Sequence, residues 1–117
     1  MAKAITKELD KLVQGLSKNQ RCHVCGLRNA TEVHHIITRG NDLLRYDPAN
    51  LLPICGDCHK AIHDRGLDVS AYLRKDRWNY LQRTKNQSYK NMLTFELGMS
   101  EDEYFRWCKK TLKDLQR

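Results

Sequence analysis

Cys22, Cys25, Cys55 and Cys58 form two C-x-x-C pairs with 29 residues between them. No other feature constrains the chain as strongly. A tetrahedral ion needs ligands that converge in pairs, and two residues between cysteines around a tight turn supply one such pair. Gly26, directly after the first pair, permits that turn. Two pairs with a foldable insert predict a structural Zn2+ site that fastens the base of a finger. His23 lies inside the first pair, but four cysteines complete the shell without it. The fifth cysteine, Cys108, falls on an apolar helical face and reads as a small buried residue.

Such a staple matters because the chain is short. The 117 residues read as one domain, 1–117, able to bury only a modest core. Hydrophobic residues make up 40% and mean hydropathy is −0.73, so most of the surface is polar. Structural zinc contributes roughly 10–16 kcal/mol of binding free energy, which is folding free energy when the unfolded chain has no site. The net charge of +7 favours polyanionic partners, chiefly nucleic acid. The first residues contain no apolar signal core, and no run approaches the ~18 apolar residues of a membrane span. The expectation is a soluble, cytoplasmic protein with no membrane partner and no small-molecule cofactor. In that reducing setting, cysteines point to metal or catalysis before disulfides.

Hydrophobic periodicity divides the chain into an N-terminal helix (1–20), the finger (21–66) and a helical extension (67–117). Ile5, Leu9, Leu12, Val13 and Leu16 share one helical face over residues 4–16. Thr31–Ile37, rich in β-branched residues, predicts a strand, and 38–49 reads as a loop rich in turn formers. Leu51–Ile54 is the returning strand. A short helix follows from His59 to about Arg65, ended by Gly66. Asp68 or Ser70 could cap another helix through Val69, Tyr72 and Leu73. Residues 74–90 are basic, with Trp78, Tyr80 and Tyr89 interleaved. Ser100–Glu103 forms a capping box ahead of a helix whose apolar stripe is Tyr104, Phe105, Cys108, Leu112 and Leu115. The fold class is α+β and mainly helical.

The histidines add a second metal chemistry. His59 and His63 are four apart on the predicted helix, so they lie on one face and can share an ion. His34 on the strand could supply a third ligand. Its neighbour His35 would point to the opposite face and be free to act as a base. Phosphodiester hydrolysis needs such a set. A divalent ion neutralises the scissile phosphate and stabilises the leaving 3′ oxygen, and a neutral imidazole takes a proton from water.

Val33-His34-His35-Ile36-Ile37, then Asn50-Leu51-Leu52-Pro53-Ile54-Cys55, then Cys58-His59 and His63, resembles the HNH endonuclease motif. The resemblance covers residues 22 to about 66 and implies a ββα-metal (His-Me) finger. It implies that His35 is the general base and that His34 and His59 bind the catalytic ion. His63 matches a further helical ligand of colicin-like members. Asn50 would hold the loop by hydrogen bonds and so orient His35. The implied activity is metal-dependent DNA cleavage, with Mg2+, Mn2+ or a similar ion, leaving a 5′-phosphate and a 3′-hydroxyl.

More loosely, Arg39–Asn50 and the tail resemble phage recombination endonucleases of the lambda NinG type, which implies a phage or prophage origin in a bacterial cell. Those typically lack a histidine directly after the second cysteine pair, whereas this chain has His59. Arg39, Arg45, Lys60, Arg74, Lys75 and Arg77 are the expected phosphate contacts. One finger cuts one strand, so a double-strand break would take a homodimer. The rival reading is a zinc-stapled nucleic-acid-binding module without catalysis, gripping its ligand through 74–90 and its aromatics.

Overall fold

The computed structural model describes residues 3–38 and 42–116. Helix α1 spans Lys3–Gly15, and strands β1 (Glu32–His35) and β2 (Leu51–Ile54) pair antiparallel. In the register, His34 faces Leu52 and His35 faces Leu51. Helix α2 (Gly56–Arg65) follows β2 directly. Then come a short 3-10 turn at Val69–Tyr72 and helix α3 (Lys75–Thr84). Helix α4 (Tyr89–Asn91) runs on into a wider π-type turn at Met92–Leu97, and helix α5 (Glu101–Leu115) ends the fold. The architecture is α+β and mainly helical, with a two-stranded ribbon.

Three elements differ from the sequence expectation. The first strand is four residues, not seven, because β2 supplies only four partners. Helix α2 starts at Gly56, three residues before His59, because Cys55 serves as its N-cap. There a sulfur takes the place of the usual Ser or Asp oxygen and accepts the Cys58 N–H at 3.4 Å. Gly66 closes α2 in the left-handed region at φ 66°, where a Cβ is unfavourable. The third difference lies in 38–49. The described part of this stretch is packed, with Leu43, Leu44 and Tyr46 buried in the core on short 3-10 turns.

The main core joins Leu9 and Val13 of α1, and Leu16 just after it, to Leu43, Leu44, Tyr46 and Leu51. Leu81, Met92, Tyr104, Phe105, Cys108 and Leu112 complete it. Burying a leucine contributes ~1.5–3 kcal/mol, so this cluster fixes the helices around the 42–51 stretch. The capping box of α5 forms as expected, with Ser100 Oγ accepting the Glu103 N–H and Glu103 accepting the Ser100 N–H. Leu115, expected in the apolar stripe, is instead half exposed at the end of the helix. A second, smaller core lies under the finger, with Cys22, Leu52, Ile54, Cys55 and Val69 buried and Trp78 packed against them. Two of its five buried members are cysteines, so the finger has little apolar material of its own to hold it shut. Among the described residues no helix is long and apolar enough to cross a membrane.

Candidate metal centres and nuclease site

The first cysteine pair sits on a tight turn tied to the ribbon. Cys22 N–H donates to the Arg28 carbonyl at 2.8 Å, and His23 N–H donates to the Pro53 carbonyl at 3.0 Å. Gly26, at φ 67°, lets its N–H fold back onto the Cys22 carbonyl. The second pair spans the start of α2. The four Sγ atoms lie within 4.8 Å of one another, and Cys25 and Cys55 are 3.9 Å apart. A tetrahedral centre with Zn–S bonds of about 2.3 Å needs S···S separations of about 3.8 Å. The set could therefore hold a zinc ion.

The thiols also show the charge conflict that such an ion would relieve. Burial opposes charge on Cys22, but N–H groups of Cys25, Cys55 and Val24 outweigh it and pull this thiol down to about 6. Burial and the neighbouring Cys55, Cys22 and Cys25 thiols push Cys58 up to about 12. Four negative charges cannot share this space unless a cation neutralises them.

The second cluster is built on β1 and α2. His59 and His63 stand one turn apart on α2, and β1 lies beneath that helix. His34, His59 and His63 each bring a ring nitrogen within 4.8 Å of the others. Ring centroids are 5.4 Å (His34–His59), 5.5 Å (His34–His63) and 4.7 Å (His59–His63). His34 is buried; burial, then the charges of His59, His63 and His35, push its pKa down to about 4. It is therefore a neutral imidazole at neutral pH, the form that binds a metal. The donor set fits a divalent ion. The cluster borders an open groove of about 520 Å³ lined by Glu32, Gly56, Asp57, His59, Lys60, His63 and Asp64.

Glu32 is the residue the sequence reading missed. Its Oε2 accepts from His59 Nδ1 at 3.1 Å, which leaves His59 Nε2 as the free lone pair. A carboxylate behind a metal-binding imidazole fixes both its tautomer and its orientation. The available signal was strand alternation, since Glu32 precedes His34 by two residues and so shares its face.

His35 turns away from the other three histidines. Its Nε2 lies 3.2 Å from the Arg45 carbonyl. A carbonyl only accepts, so this nitrogen carries the proton and Nδ1 keeps its lone pair. Asn50 is fully buried beside this loop. Its Oδ1 accepts the Ile37 N–H at 2.6 Å, and its Nδ2 donates to the Ile37 carbonyl at 3.1 Å and to the Leu44 carbonyl at 2.9 Å. One amide thus bonds the end of β1 to the residue before Arg45.

The expected phosphate contacts divide. Lys60 is exposed at the rim of the groove. Lys75 is exposed with no ion pair among the described residues. Arg74 is exposed and pairs with Asp76 at 3.4 Å. Arg45 pairs with Asp10 of α1 at 3.0 Å. Arg39 lies outside the described residues. Arg77 requires a correction. Its Nε donates to the Ala49 carbonyl at 2.7 Å and its Nη2 to the Leu51 carbonyl at 2.8 Å, so this cation clamps the 48–51 turn instead of facing a phosphate. Tyr80 assists from the same helix, donating to the buried Asp47 carboxylate at 2.6 Å.

Residues 22–65 match the sequence profile of the HNH endonuclease family. Neither the curated proteins nor the solved structures compared with the chain gave a significant match. The matched segment begins at the first clamp cysteine and ends just past His63, so it encloses both clusters together with Glu32, His35 and Asn50. On that match and on the clusters it encloses, residues 22–65 are similar to the HNH endonuclease family.

Proposed function

We propose that the protein is a metal-dependent DNA endonuclease that hydrolyses phosphodiester bonds. The observation that carries this reading is the convergence of His34, His59 and His63 beside an independently anchored His35. His35 is the general base. With Nε2–H held by the Arg45 carbonyl, Nδ1 is the nitrogen that takes a proton from water. Asn50 is a positioning residue, acting through Leu44 and Ile37 on the loop that aims His35. Glu32 keeps the His59 Nε2 lone pair directed at the cluster.

A divalent ion held by His34, His59 and His63 would neutralise the scissile phosphate and stabilise the leaving 3′ oxygen. Three imidazoles without a carboxylate suit zinc, nickel or cobalt better than magnesium or manganese, which prefer oxygen ligands. Lys60 at the rim contacts the phosphate backbone. The products are a 5′-phosphate and a 3′-hydroxyl. The looser likeness of residues 39–50 to phage recombination endonucleases supports a place in DNA recombination or processing.

Plasmid nicking by the zinc-loaded protein tests this, with each divalent ion added in turn and then chelated. His35→Ala should slow nicking by about 10²–10⁴-fold while its melting temperature stays unchanged. Nicking at the wild-type rate by that variant would overturn the general-base assignment. Salt-sensitive DNA binding without nicking in any metal would make the protein a non-catalytic nucleic-acid module.

A further inference from the structure

Residues 22–65 contain five arginines and lysines and five aspartates and glutamates, so the finger is formally neutral. The whole excess of +7 therefore lies in the flanking segments. The groove beside the histidines is itself lined by three carboxylates, Glu32, Asp57 and Asp64, against one lysine, Lys60. Duplex DNA is held mainly by cations that replace counterions along its phosphates. The finger has no surplus of cations for that task.

Part of the flanking charge lies where the first and last helices meet. Helices α1 and α5 run side by side, with Glu8 paired to Lys109 at 2.6 Å and the Leu12 carbonyl accepting from Gln116 Nε2 at 2.6 Å. Lys11, Lys109 and Lys113 converge there, with Glu8 and Leu12, on a groove of about 250 Å³. Glu8 pairs directly with Lys109 alone and attracts Lys113 only at longer range. Lys11 and Lys113 are exposed and have no ion pair among the described residues. A surface built for solubility alone intersperses its signs. Here like charges share one groove, against their mutual repulsion.

We infer that the α1–α5 seam is a docking strip for the phosphodiester backbone of duplex DNA, with Lys11 and Lys113 as its free cations and Lys109 held in reserve by Glu8. This rests on DNA being the substrate. The strip gives the two helices outside the matched segment a binding role beyond packing, and it supplies backbone affinity that a neutral finger lacks.

The test is binding of the full, zinc-loaded chain to a short fluorescent duplex across a salt series, without the cleavage metal. Each phosphate contact contributes ~0.9 to the slope of log affinity against log salt. Lys11→Gln with Lys113→Gln should lower that slope by ~1.8 and leave the melting temperature unchanged. Glu8→Gln releases Lys109 and should steepen it by up to ~0.9. An unchanged slope in the double variant would overturn the strip, as would a loss confined to Arg74→Gln with Lys75→Gln. A protein that nicks normally while the double variant keeps its slope loses the strip alone. A protein that binds with the predicted slopes and never nicks keeps the strip and loses the endonuclease reading.

Discussion

The thiol cluster and the imidazole cluster adjoin the same two-stranded ribbon, yet they are joined to the fold in different ways. Cys22 and Cys55 are buried members of the finger's small core, and one of them also caps α2. Their sulfurs draw together two segments that share little other apolar contact. The histidines instead project from elements already in place. His34 sits buried on a paired strand, and His59 and His63 stand on a capped helix and line an open groove. An ion held by the thiols would be part of the core. One held by the histidines would leave strand and helix as they are. The first would belong to the fold, and the second would be mounted on it.

The largest effect should come from the thiols. A structural zinc contributes roughly 10–16 kcal/mol, as much as the whole stability of a typical domain, ~5–15 kcal/mol. Cys55→Ser should therefore lose zinc and cooperative unfolding together, read by circular dichroism and metal analysis. A folded, zinc-free variant with the wild-type melting temperature would erase the distinction between the clusters.

Asn50 lies between the two extremes, since it is buried like the thiols but bonds Ile37 and Leu44, beside the proposed base. Asn50→Ala orphans the Ile37 N–H and the Ile37 and Leu44 carbonyls. An unsatisfied buried group costs ~1–3 kcal/mol, and less where water reaches the half-buried Ile37 groups, so unfolding in urea should report a loss of ~2–5 kcal/mol, with nicking reduced as well. Unchanged stability would reduce Asn50 to an ordinary turn residue.

The smallest effect falls on Glu32. Removing an outer carboxylate from a metal-binding histidine typically weakens the site by ~10–100-fold. Titration calorimetry of Glu32→Ala with nickel or cobalt should show that loss at the histidine cluster, with the thiol zinc still in place. Equal affinity in variant and wild type would mean that His59 needs no orienting partner.

How much of this was readable in advance follows from the chemistry. Cysteines at C-x-x-C and histidines four apart are visible because an ion demands specific side chains at short spacing. Helices α1 and α5 were visible because their apolar faces repeat at the helical period. Backbone acceptors leave no such mark. That the Arg45 carbonyl anchors His35 could not be read from any side chain, and the sulfur cap hid the true start of α2. Arg77 misled because a basic stretch does not reveal which of its cations turns inward; only the open carbonyls of the 48–51 turn decide that. The 38–49 stretch read as a loop from Gly40, Asn41, Asp47 and Pro48, although Leu43, Leu44 and Tyr46 carried an apolar signal that outweighed those turn formers once α1 and α5 were packed against them.

The central claim is that folding and cleavage use separate metals. It is tested most directly by His34→Ala combined with His59→Ala, assayed together for zinc content, melting temperature and plasmid nicking. The account predicts one zinc per chain, a melting transition that stays cooperative and close to wild type, and no detectable nicking. Loss of the folded state, or nicking at the wild-type rate, would contradict it.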